Sequence, residues 1–363
     1  MADSTDYYTR LQQAIDRLEH LKAEPMLKEV RSIIELAKAN GDGNAVADFA
    51  RHLIRAASHE GRLDYEMIGF GELQALYERD ANYSDLRADL LWYSTGRAER
   101  LPEYVDVPAE RIDSFLDQME QFYRAAGEGL RPVYELRCRA AGFMGREEDA
   151  RRLAELWQAT PQAASDNCPA CETHSRVQYL LDVGEIPEAI EAARQILEGE
   201  QSCEEVPSTT FSRLLIPLLF TTGDPESPLY LASVVRRHVR HTAALLSHLA
   251  DHVNLLSLVG LFDDARRNLW VLLARSQDAP NDFVRFCAAR SAWLCFARMG
   301  KAGVDTARFP PRTGGLAGRT LRTTEAAAHY RARAVALAEA FDRRNGTGRF
   351  ALRTEAIEKL AGL

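Results

Sequence analysis

A chain of 363 residues, 46% hydrophobic and 27% charged, has the make-up of a folded protein and excludes global disorder. Its net charge of −8 and pI near 5.7 give no basic footprint for nucleic acid. The longest apolar stretch, Leu214 to Phe220, is too short to span a bilayer, and the acidic start Met1-Ala2-Asp3-Ser4-Thr5-Asp6 is no secretion signal, so no membrane partner and a cytoplasmic location are expected. Six cysteines at irregular spacings fit a reducing compartment. Only five of the 45 basic residues are lysine. The arginines are spread along the chain, which fits GC-rich, bacterial codon usage better than one recognition patch.

Nearly every segment carries helical periodicity and no alternating strand stands out, which predicts an all-α fold. Residues 1–127 read as degenerate helical pairs. Tyr8, Leu11, Ile15 and Leu18 form one apolar stripe between Thr5 and Lys22. Pro25 starts a second helix that stops at Asn40-Gly41-Asp42-Gly43. Helices follow over about Ala45 to Ser58, Asp64 to Tyr77 and Ser84 to Thr95. Pro102 and Pro108 then mark a loop, and Ala109 to Ala126 is a strong helix closed by Gly127.

Over residues 128–300 a period appears. Gly145, Gly184, Gly223, Gly260 and Gly300 are spaced by 39, 39, 37 and 40 residues. Ala150, Ala189 and Ala265 follow three of these glycines by five. Glycine suits a turn that needs positive φ, and alanine lets the returning helix approach closely. Glu135 to Pro161, His174 to Gln201 and His252 to Gln277 resemble tetratricopeptide (TPR) repeats. The usual first-helix tryptophan and leucine-glycine pair are absent, and the period of 37–40 exceeds the usual 34 or so. The resemblance implies an α-α superhelix of helical hairpins with a concave binding groove, and no reaction. First helices would line that groove, which makes Tyr134, Arg137, Arg176, Gln178, Arg213 and Asn254 candidate partner-binding residues for a protein or peptide segment, an acidic one by their chemistry.

Past Gly300 the period fails. Residues 301–323 hold Phe309-Pro310-Pro311 and Gly314-Gly315-Leu316-Ala317-Gly318 and read as a flexible loop. Residues 324–363 read as capping helices, with Thr324 capping Glu325 to Arg343 and a last helix from Arg349 to Leu360.

The most concentrated chemistry is Asp166-Asn167-Cys168-Pro169-Ala170-Cys171-Glu172-Thr173-His174 with Cys203. A helix from Pro169 to Val183, a turn at Gly184 and a return from Pro187 to Glu198 would bring both ends of the hairpin together. Cys168, Cys171 and Cys203 would then converge, with His174 one turn beyond Cys171 as the natural fourth ligand of a structural zinc. Asp166 or Glu172 could stand in for it. A redox-active Cys168/Cys171 pair and plain reduced thiols are the competing readings. Cys138, Cys287 and Cys295 read as core. His238, His241, His248 and His252 cluster without the glutamate of a metalloprotease helix and read as ordinary helix residues.

The function expected from these features is a non-catalytic protein–protein interaction scaffold of TPR-like type stiffened by zinc. A ligand- or peptide-responsive regulator, and an enzyme using the Cys/His cluster, are the alternatives.

Overall fold

The computed structural model describes residues 4–163, 166–204, 206–277, 279 and 281–362. They are overwhelmingly helical, and the fold is all-α. Six helices occupy the first third: α1 (Ser4–Leu18), α2 (Ala23–Ala39), α3 (Gly43–His59), α4 (Leu63–Arg79), α5 (Leu86–Arg100) and α6 (Ala109–Ala126). The hairpins that follow are α7 (Arg131–Met144) with α8 (Glu147–Ala159), α9 (Pro169–Val183) with α10 (Ile186–Ala192) and α11 (Arg194–Leu197), α12 (Val206–Thr222) with α13 (Glu226–His241), and α14 (Leu246–Leu258) with α15 (Phe262–Ser276). Long helices α16 (Asp282–Lys301), α17 (Thr323–Asn345) and α18 (Arg349–Ala361) end the chain.

The glycine period marks the turns. Gly145, Gly184, Gly223 and Gly260 all have positive φ, between 69° and 85°, where a Cβ would be strained. Ala150, Ala189 and Ala265 are fully buried, and Cys138 Sγ lies 3.3 Å from the Ala150 carbonyl, so the two helices of the α7–α8 hairpin touch almost backbone to side chain. Gly300 is different: it sits inside α16, and the turn falls at Gly303, φ 81°. The return helix expected from Pro187 to Glu198 is broken at Ala193 into α10 and α11.

Each hairpin packs on the next through its first helix, so that α5, α7, α9, α12, α14 and α16 form a continuous inner row. The core does not pause at residue 127: Leu116, Met119 and Tyr123 of α6 pack with Val133 and Leu136 of α7.

The segment read as a flexible loop is instead a short antiparallel hairpin, β1 (Thr306–Arg308) with β2 (Thr320–Arg322). Phe309 is 0% exposed and its ring sits 5.0 Å from that of Trp270 and 5.5 Å from that of Phe296. Burial of that aromatic anchors a stretch whose prolines and glycines suggested only mobility.

The C-terminal helices fold back across the inner row. Phe341 and Phe350 stack at 4.2 Å, and Phe143 of α7, Phe283 and Phe286 of α16 complete one aromatic cluster. Arg344 donates to the carbonyls of Pro102 (2.7 Å), Tyr104 (2.9 Å) and Val107 (3.0 Å), clasping the loop after α5. The Val105 N–H donates to Asp282 Oδ2 at 2.9 Å. The helical row therefore curls until its two ends meet.

Candidate functional site

Cys168 caps α9: its Sγ accepts from the Cys171 N–H at 3.4 Å, and Pro169 occupies the first turn where its missing N–H costs nothing. Cys203 follows α11 and returns to the same end, with Cys171 Sγ and Cys203 Sγ 3.5 Å apart. All three sulfurs lie within 4.8 Å of one another, a set that could hold a metal ion. Thiolates about 2.3 Å from a tetrahedral metal stand roughly 3.8 Å apart, so the spacing needs little adjustment. Burial, together with the neighbouring thiols, pushes the Cys171 thiol up. At Cys168 burial opposes ionisation, but hydrogen bonds from Cys171 outweigh it and the thiol is lowered.

The loop leading to Cys168 is held from α7 and α8. Asn167 Nδ2 donates to both oxygens of buried Glu135, at 3.1 and 3.2 Å. Glu172 receives Arg131 Nε at 2.6 Å and Trp157 Nε1 at 3.0 Å. Burial pushes the Glu135 carboxyl up to about 6. Glu172 is thereby occupied with α7 and α8, and Asp166 Oδ2 accepts the Ala163 N–H, so neither belongs to the sulfur cluster.

His174 does not join it either. The helix turns its ring inward, where Nδ1 sits 2.9 Å from Thr210 Oγ1, and the group of ligand atoms comprises the three cysteines among the described residues. Burial, reinforced by Arg139, lowers the imidazole to about 3, so it is neutral.

Inward of the cysteines lies a central cavity of about 770 Å3, lined from the inner row together with residues of α3, α4, α10 and α18. Cys171 and His174 form part of its wall, as do three of the six groove candidates, Gln178, Arg213 and Asn254. Tyr134 and Arg137 face instead a separate recess of about 290 Å3 beside α6 and α8, and Arg176 is exposed on neither. The helix assignment was sound, but a row that curls brings different faces of successive helices to its interior.

Seven arginines and five carboxylates line the cavity, an excess of positive charge within a chain of net charge −8. Several pair across it: Arg139 with Glu99, Arg213 with Asp251 at 3.2 Å, and Arg353 with Asp182 at 2.7 Å. Gln178 Oε1 accepts from Arg139 Nη2 at 2.7 Å. Glu103, Asp251, Arg290 and Arg353 carried no signal in the sequence, because the neighbours of each in the cavity are distant in the chain.

Of the clustered histidines, His238 and His241 are exposed on α13 while His248 and His252 are buried on α14. His252 Nε2 lies 3.0 Å from Ser212 Oγ, but Ser212 is fully buried and neither residue lines the cavity. Cys138, Cys287 and Cys295 are buried, and burial raises each thiol. No described helix is long and apolar enough to cross a membrane. No family model, curated protein or solved structure matches the chain, so its function has to be read from this geometry.

Proposed function

We propose that the chain is a non-catalytic binding protein, a TPR-like solenoid that receives a small polar ligand in the cavity on its inner face and carries a structural zinc on Cys168, Cys171 and Cys203. The observation that carries this reading is the cavity itself. Its volume of about 770 Å3 lies within the range of small-molecule sites, and its wall joins helices from both ends of the chain. A ligand there would touch α5 and α16 at once and so report on how tightly the row is curled. That is the ligand-responsive alternative, and it is favoured over an extended peptide by α17 and α18. Packed on α16, they close over the inner row, and Arg353 of α18 lines the cavity and reaches Asp182 of α9. A protein partner engaging the outer recess at Tyr134 and Arg137 is the second reading, supported by the exposed charges around it.

Zinc suits three soft thiolates in a reducing compartment, and its binding free energy would add to that of folding. It would tie Cys203 to the start of α9, closing the hairpin that forms one wall of the cavity.

Native mass spectrometry of the full chain, purified under reducing conditions without chelator, tests both parts beside Cys203→Ser. One zinc per chain is expected, lost in the variant, which should also melt several degrees lower. A metal-free mass in the wild type removes the zinc. A chain that carries no small molecule, and that no compound in a metabolite panel stabilises against heat, removes the cavity reading.

A further inference from the structure

Resting on the cavity reading above, the geometry points to a small organic anion as the ligand, its carboxylate or phosphate seated on Arg290 between α14 and α16, with His248 and Asn254 as neutral hydrogen-bond partners. Three observations converge there. Arg290 lines the cavity but forms no ion pair among the described residues, and its Nε is buried without a partner. Its guanidinium lies 5.1 Å from the centre of the Phe286 ring, a contact through the face of the group that does not use its N–H donors.

His248 and Asn254 are 7% and 8% exposed, line the same cavity, and each has a side-chain atom without a partner, His248 Nε2 and Asn254 Oδ1. They stand six residues apart on α14 with Asp251 midway between them. Ser291 Oγ donates to the Ala250 carbonyl at 3.1 Å, so the stretch of α16 bearing Arg290 lies directly against this face. Asp251 is paired directly with Arg213, and Asp182 with Arg353 and Arg349, so Arg290 feels Asp251 only at a distance and no carboxylate at this end pairs with it directly.

Buried polar groups in folded proteins nearly always find partners. An arginine without an ion pair, a neutral imidazole that can donate from Nε2 and an amide that can donate from Nδ2 are what an anion with several oxygens would complete, while the Asn254 Oδ1, an acceptor, would take a hydroxyl proton of the ligand. Arginine grips carboxylate and phosphate alike through its fork, so the two chemistries share the site. Burial, with Arg353 and Arg213 nearby, brings the Arg290 guanidinium down to about 10, which still leaves it charged at neutral pH.

Isothermal titration of the full chain with succinate and with inorganic phosphate tests this, with glucose as a neutral probe and Arg290→Gln and Asn254→Leu as variants. One anion per chain is expected, weakened at least tenfold by Arg290→Gln. The same variant should melt at the wild-type temperature or above, because it removes a buried unpaired charge. Asn254→Leu should weaken the anion as well, and it carries the test if Arg290→Gln does not fold. Binding of succinate but not phosphate assigns a carboxylate ligand, and the reverse a phosphate. Anion binding indifferent to both variants overturns the site. Glucose or a co-purified neutral compound bound in place of either anion overturns the anion and leaves the cavity reading standing. No binding by any probe or co-purified molecule sinks both.

Discussion

Glu135 shows how one buried charge can serve a site at a cost to the fold. It is 2% exposed and holds Asn167, the residue that sets the path into Cys168. A carboxyl whose folded pKa lies near 6, above its ordinary 4.5, binds its proton more tightly in the native state. Stability therefore falls as pH rises from 4.5 through 6, by roughly 2 kcal/mol in all. Glu135→Gln keeps an acceptor for Asn167 without the charge. Urea unfolding should find it more stable than wild type above pH 6, by up to about 2 kcal/mol, with the gain fading by pH 4.5. An equal gain at both pH values would mean that ionisation of Glu135 is not its source. In the sequence Glu135 was visible only as the first residue of a repeat-like stretch; its neighbour Asn167 is 32 residues away.

At the scale of the element, the turn glycines carry two different burdens. A Cβ at Gly184 would meet nothing within 4 Å, so Gly184→Ala costs only the left-handed backbone, roughly 1 kcal/mol. A Cβ at Gly145 would lie 2.7 Å from Arg349 Cβ and 2.9 Å from Thr347 Oγ1. Overpacking against α18 then adds about 1–3 kcal/mol to the same backbone strain. Thermal denaturation should rank Gly145→Ala clearly below Gly184→Ala; equal losses would mean that α18 does not press on the α7–α8 turn. The period gave both positions the same role. It was right about the turn, and it had no access to the packing of a helix two hundred residues away. The hairpin Thr306–Arg322 failed for the converse reason, since strands of three residues are too short to display alternation.

For the whole molecule, the curl of the helical row buries imidazoles whose desolvation outweighs any nearby acid, Glu99 beside His174 included. Burial lowers His174 to about 3 and His252 to about 4, and holds His248 well below its ordinary range, helped by Arg213. Each is neutral when folded and takes a proton on unfolding below about pH 6.5, so each destabilises the native state as pH falls. Glu135 offsets one of the three protons below pH 6, and the net two predict a loss of roughly 2–3 kcal/mol per pH unit between pH 6 and 5. Glu66, Glu103 and Asp251, raised by burial, soften the lower end. Denaturant melts across pH 7 to 5 check the slope. A flat profile would mean that the three histidines reach solvent.

Local patterns determined the helices, the positive-φ glycines, the buried alanines and the meeting of Cys168, Cys171 and Cys203. All of these depend on residues within one hairpin, whose geometry helix periodicity and turn chemistry already constrain. Which residues face the interior was decided elsewhere. Gln178, Arg213 and Asn254 reached the cavity and Tyr134, Arg137 and Arg176 did not, because the curl of the row is a sum of small rotations between hairpins. The clasp of Arg344 on residues 102–107 and the packing of Phe143 against Phe350 at 5.4 Å hold that curl, through contacts between segments that only the folded chain brings together.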